Sequence, residues 1–204
     1  MALVFEQVDL DNIVAARAAG NNIWDNPILS NVKIKIKDHF LAAPFPKCCY
    51  CSRSAIGEFR MVIDIEHVLP KSRYDSLMFD VQNLNISCKR CNMEIKRSKI
   101  DFVVDVNAMK NDYFNSVHYK FVHPNLDKYT EHIRVASFRI GDSILNKYLV
   151  RTESKGRYTY NYFSLNELEI DNLNQAQGLE ASASLTSRIS TSIRIKIAQL
   201  LLKL

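Results

Sequence analysis

Apolar and polar positions change their pattern several times along the chain, and each change marks a predicted element. DLDNIVAARAAGNN reads as a short helix with an Asp cap at its start and Gly20 at its end. PILSNVKIKIKDHFLAA reads as a second helix, or as a helix preceded by a strand. The β-branched and aromatic content of EFRMVIDIEHV predicts a strand, and NLNISC predicts a shorter one. KRCNMEIKRSK is full of good helix formers and has neither Gly nor Pro, so a helix follows. The order is strand, long loop, strand, helix.

Farther on, HYKFVHP, HIRVASFRI, NKYLVRT and RYTYNYF predict strands, separated by turn signals such as GDS and SKG. The end of the chain sets Leu185, Ile189, Ile193, Ile197 and Leu201 at intervals of four, the stripe of an amphipathic helix. IRIKI within it alternates, which leaves a strand open there. The expected fold class is α+β: an N-terminal helical flank over 1–46, a chemistry-bearing core over 47–101, and a mixed region over 102–204 that ends in a helix.

At 204 residues and 47% hydrophobic content the chain can bury a substantial core. Its 27 Lys and Arg against 22 Asp and Glu give +5 and a pI near 8.9, a mild excess that favours a polyanionic partner without requiring one. The first residues lack a basic stretch followed by an apolar one, and no apolar run reaches the length of a membrane span. A soluble, cytoplasmic protein is therefore expected, with no membrane partner.

The five cysteines cluster as Cys-x-x-Cys pairs rather than spreading as a disulfide framework does. KCCYC supplies Cys48 and Cys51, and SCKRC supplies Cys88 and Cys91; Cys49 is the spare. Two such pairs present four thiolates tetrahedrally to one zinc ion, and four sulfurs leave no open position, so the zinc is structural. Four unrelated buried cysteines are the plain alternative. The interval between the pairs is longer than in a simple zinc ribbon, and an inserted element must fill it.

That insert holds IDIEHVLPKS, with three ionisable residues in five positions of a strand-like run, where desolvation makes charge costly. Glu66 offers a hard oxygen suited to magnesium or manganese. His67 beside it has the side chain able to take a proton near neutral pH. Asn83 and Asn92 come next, the latter directly after the last cysteine.

This ordered set, EH then Pro70, Asn83-Leu84 and CxxCN ending at Asn92, resembles the HNH endonucleases, whose core is a ββα-metal finger. The resemblance covers roughly residues 47–101. It implies that His67 is the general base that activates water, and that Glu66 and Asn92 hold magnesium or manganese. It further implies that Asn83 orients the histidine and braces the loop between the strands. Two positions depart: the family commonly carries Lys three residues after the final His or Asn, where this chain has Ile95, and Glu66 stands where Asp is more usual, keeping the charge. Asp64 shares a strand face with Glu66 and is a candidate to support the metal ligands from behind, or an exposed strand residue. Lys71, Arg73, Lys89, Arg90, Lys96, Arg97 and Lys99 flank the site as candidates for phosphate contact, with a solvated face as the alternative. The same choice applies to Lys33, Lys35 and Lys37.

FVHPNLDKYTEHI contains His123, Asp127 and His132, whose spacings match no compact ligand motif. This segment is similar to the stretch C-terminal to the core in the nuclease subunit of Septu-type anti-phage systems. That likeness implies a defence role and a partner ATPase, for which the basic end with Arg188, Arg194, Lys196 and Lys203 is a candidate docking helix; packing on its own domain is the alternative. A DNA endonuclease is the first expectation. Its competitors are a non-catalytic zinc-ribbon module that binds nucleic acid or protein, and a free-standing restriction or homing nuclease.

Overall fold

A computed structural model of the chain describes residues 3–20, 22–140 and 143–171. It is α+β and forms two compact units. The predicted C-terminal helix, with Leu185 to Leu201 and its four basic residues, lies outside the described residues.

The first unit takes in residues up to 134 and then 149–166. It opens with α1 (Gln7–Ala18) and α2 (Ser30–Leu41). The first helix begins at Gln7, two residues before the expected Asp9 cap, because Glu6 and Asp9 form a reciprocal capping box in which Glu6 N–H donates to Asp9 Oδ2 at 2.9 Å. Gly20 lies just past its end with φ +79°, a left-handed conformation that glycine adopts without strain. In α2 the VKIKIK alternation yields to burial. Leu29, Val32 and Ile36, spaced three and four apart, pack with Ile13, Ala16 and Leu84 into one core, while Ile34 stays exposed. Burying each of the Leu, Val and Ile side chains stabilises by about 1.5–3 kcal/mol.

Strands β1 (Ile63–His67) and β2 (Leu84–Cys88) pair antiparallel, from Ile63 opposite Cys88 to His67 opposite Leu84. The strand expected over EFRMVIDIEHV is thus confined to its second half, since 60–62 curl into a 3₁₀ turn. After β2 the chain forms a π-helix, Arg90–Lys96, in place of an ordinary helix. Its wide turn, marked by Arg97 N–H donating to Asn92 O at 2.7 Å, buries Cys91 and Lys96 five residues apart.

Two short helices come next, α3 (Val106–Met109) and α4 (Tyr129–His132). HYKFVHP does not form a strand: only Tyr119 makes a bridge, to Val103, and its aromatic residues serve a packed cluster instead. There Phe102 stacks on Phe121 and Tyr50 stacks on Phe163, both with ring centroids 4.3 Å apart. RYTYNYF lies largely in a helix, α5 (Lys155–Tyr162), despite its strand-forming composition. Burial of Gly156, Thr159 and Phe163 follows helical spacing, and a Cβ on Gly156 would meet His132 O at 2.5 Å. Tertiary packing overrides propensity here.

Strands β3 (Ile133–Ile140) and β4 (Ser143–Val150) form where expected; with β5 (Ile170–Asp171) they make a three-stranded sheet in the order β3-β4-β5. Most of that sheet belongs to the second unit. Within it β5 is tied to β4 by Leu145 opposite Asp171, and Glu169 receives Lys147 at 2.9 Å.

Candidate active site and metal centre

Cys48 and Cys51 come from the turn before β1, and Cys88 and Cys91 from the end of β2 and the π-helix. Their four sulfurs lie within 4.8 Å of one another and all four residues are buried. Cys51 Sγ stands 3.8 Å from Cys88 Sγ. A tetrahedral ion with bonds of about 2.3 Å to sulfur has a ligand–ligand edge of about 3.8 Å, so the cluster fits zinc. The four thiols act on one another: their contacts hold Cys88 well below the usual thiol range and push Cys91 above it, burial adding to that rise, while burial and then those contacts push Cys48 above it. Cys49 stands outside the cluster and ties the turn to β2 through its N–H to Ile86 O at 3.0 Å. Among the described residues no other group of three or more His, Cys, Asp or Glu has this geometry.

Both knuckles reach the end of β1. Tyr50, between the first two cysteines, donates its hydroxyl to Glu66 Oε1 at 2.9 Å. Lys96, at the end of the π-helix, places Nζ 2.8 Å from the same oxygen and donates to His67 O at 2.8 Å. Burial raises the Glu66 pKa, against the lowering pull of Lys96 and Tyr50. Lys96 is therefore unavailable to a phosphate. The extra residue of the π-turn explains why Lys96, four positions after Asn92, faces Glu66 where Ile95 does not.

His67 is also buried. Its Nε2 lies 3.0 Å from Met78 O, which fixes Nε2 as the donor and leaves Nδ1 as the acceptor with no protein partner among the described residues. Trp24 packs edge-on against the imidazole, with ring centroids 4.5 Å apart. Desolvation, with Lys71 adding to it, pushes the His67 pKa down to about 3, so the ring is neutral at pH 7.

Asn83 is buried at the foot of the 68–83 loop. Its Oδ1 accepts from Leu69 N–H at 2.7 Å, and its Nδ2 donates to Leu69 O and Leu77 O at 3.1 Å each. The side chain braces the loop that carries Met78 to His67. Asn92 is half-buried and its side chain makes no hydrogen bond with a described residue. Asp64 Oδ1 accepts from Lys89 at 2.9 Å, while its Oδ2 is buried without a partner.

An open groove of about 1320 Å³ runs over these residues; Glu66, His67 and Asn92 line it together with Asp64. Lys33, Lys37, Arg60, Lys71, Lys89 and Arg97 also line it and make it cationic. Two of the basic candidates are held elsewhere or away: Arg90 donates to Phe163 O at 2.8 Å and Ser164 O at 3.1 Å, and Arg73 is exposed outside the lining. Lys99 lies over the Tyr162 ring, 5.9 Å from its centroid. Lys35 pairs with Asp9 and Glu6 and leaves the phosphate-contact set.

Sequence reasoning missed Trp24 and Tyr50, whereas two of the three α2 lysines it raised, Lys33 and Lys37, do line the groove. Trp24 had one signal, as the sole tryptophan of the chain. His123, Asp127 and His132 do not converge: His123 Nδ1 accepts from Asn125 N–H at 3.2 Å, Asp127 pairs with Lys155 at 2.6 Å, and His132 bonds Thr152 at 2.9 Å.

The geometry describes a two-stranded finger that a four-sulfur centre closes and a cationic groove overlies. No family model matches the chain and no solved structure matches it. The Septu protein PtuB of Bacillus thuringiensis is 25% identical to it over 150 residues, which make up 74% of this chain and 46% of that protein. The chain thus spans less than half the length of this relative. No helix among the described residues is long and apolar enough to cross a membrane.

Proposed function

We propose that the chain is a metal-dependent DNA endonuclease of the HNH class acting in a Septu-type anti-phage defence complex. The observation that carries this reading is His67: a buried, neutral imidazole at a strand end, its tautomer set by Met78 O, adjoining Glu66 in a cationic groove. The distant likeness to the Septu protein PtuB supports the defence setting, and the partner ATPase is what the resemblance to Septu-type systems implies.

Hydrolysis of a phosphodiester needs water deprotonated on one side of phosphorus and negative charge stabilised around it. His67 Nδ1 is the atom placed to take that proton. Burial is the larger cause of its low basicity in the free protein and Lys71 the smaller, and a phosphate beside Lys71 counters the smaller one. Lys71, Lys89 and Arg97 hold the nucleic-acid backbone without reading bases. Glu66 Oε2 and Asn92 are the residues to hold magnesium or manganese, and the bound ion supplies Lewis-acid stabilisation of the phosphate and leaving oxygen. Asp64 supports the ligand strand from its Lys89 pair.

A non-catalytic zinc module that binds nucleic acid is the second reading, favoured by the engagement of Glu66 with Lys96. The two are separated by incubating zinc-loaded protein with supercoiled plasmid and magnesium or manganese, alone and with the proposed partner ATPase. Metal-dependent nicking or linearisation supports the nuclease. Plasmid retardation without cleavage under every condition supports the binding module.

A further inference from the structure

Both zinc knuckles grip one oxygen of Glu66. Oε1 takes Tyr50 at 2.9 Å and Lys96 at 2.8 Å, and 1% of the Glu66 and Lys96 side chains is exposed. Lys96 also donates to His67 O at 2.8 Å, a second contact that holds its ammonium beside Glu66. Only Oε2 of Glu66 has no described protein partner. Asn92 adds a neutral amide, and Asp64, a further carboxylate lining the groove, is itself paired with Lys89 at 2.9 Å.

Such a site is poor for a free divalent ion. Magnesium requires near-octahedral oxygen ligation and is usually held by one or two carboxylates together with substrate phosphates. Here Glu66 is already neutralised by the Lys96 ammonium, which repels a second cation across a buried, low-dielectric gap, and Asp64 by that of Lys89. A phosphodiester in the groove changes the balance. It brings a full negative charge and hard oxygens to a place that Lys71, Lys89 and Arg97 already favour for an anion.

We infer that Lys96 keeps the Glu66–Asn92 site from retaining a divalent ion in the free protein, so that the ion and the nucleic-acid phosphate bind together. This rests on the nuclease reading. Its consequence is a two-key device: the site gains its ion when nucleic acid is seated. The one-residue offset of Lys96 and the π-turn that accommodates it are the sequence features that build the device.

The test is manganese binding, read by electron paramagnetic resonance on the full zinc-loaded chain, with and without a short duplex carrying phosphorothioate linkages that resist cleavage. Glu66→Gln is the reference in both arms, which subtracts manganese bound by DNA alone. Wild type without DNA is expected to bind manganese no more tightly than Glu66→Gln, and at least about ten-fold more tightly than it once DNA is present, the affinity change a single added charged ligand supports.

Glu66-dependent binding at least about ten-fold tighter in the DNA-free protein would overturn the inference and leave the nuclease reading standing. No Glu66-dependent binding in either arm would overturn both. Lys96→Met at unchanged zinc content gives a direct second arm: manganese affinity of the free protein should rise, and an unchanged affinity in the folded variant would contradict the role given to Lys96. Should that variant lose zinc, the wild-type arms still decide.

Discussion

Lys96 Nζ lies 2.8 Å from Glu66 Oε1, and the two side chains are each 1% exposed. A buried pair of this kind owes its stability to completeness, because either ion alone faces the full desolvation cost. Lys96→Ala should lower the unfolding free energy by about 3–5 kcal/mol. Combining it with Glu66→Gln should restore much of the loss, since no unpaired charge then remains. Urea unfolding of the single and double variants at constant zinc content measures the coupling, and strict additivity would contradict it.

The zinc cluster is expected to hold one ion per chain and to carry the fold of the finger. Because Tyr50 and the π-helix start from its cysteines, metal removal should release Glu66 along with the sulfurs. Cys88→Ser or strong chelation should abolish the near-ultraviolet signal of the packed Tyr50–Phe163 pair. A spectrum unchanged after zinc loss would show that the cluster is not structural.

Asn83 satisfies three backbone groups of the buried loop, and aspartate cannot donate to two of them. Asn83→Asp should therefore destabilise by about 2–4 kcal/mol, from two unpaired carbonyls at roughly 1–2 kcal/mol each. Hydrogen exchange at the Leu69 amide, faster in the variant than in wild type, reports the loosening locally.

His123 gives a pH-dependent term remote from the metal ligands. Burial drives its pKa down to about 3, with Asp127 opposing and Lys155 assisting that shift, whereas the unfolded histidine titrates near 6.5. The unfolded chain therefore binds the proton first. Stability from this group is complete above pH 6.5 and falls by about 1.4 kcal/mol per unit as pH drops from there toward 3. His123→Gln should make the acid slope shallower by that amount between pH 6.5 and 5, followed by denaturant midpoints.

Much of the site was legible because its residues are set by local spacing. Paired cysteines, a carboxylate and histidine at a strand end, and an asparagine after the last cysteine are all short-range patterns. The partners of those residues were not legible, because they arrive from far along the chain. Met78 meets His67 across the loop, Tyr50 meets Glu66 from the other side of the first knuckle, and Trp24 comes from the flank. The strand expected over RYTYNYF failed for the same reason: its period is decided by the cluster around Phe102 and Phe121, which local composition does not encode. The π-turn left only a one-residue offset as its trace.

The measurement that bears most directly on the central claim is the rate of manganese- or magnesium-dependent cleavage of supercoiled plasmid by wild type and His67→Ala, at equal zinc content and with and without the proposed partner ATPase. A positioned general base contributes about 10²–10⁴-fold, so cleavage should fall by at least about 100-fold while zinc content and DNA binding persist. Cleavage by His67→Ala at the wild-type rate would contradict the assignment of His67 and, with it, the reading of this groove as a nuclease site.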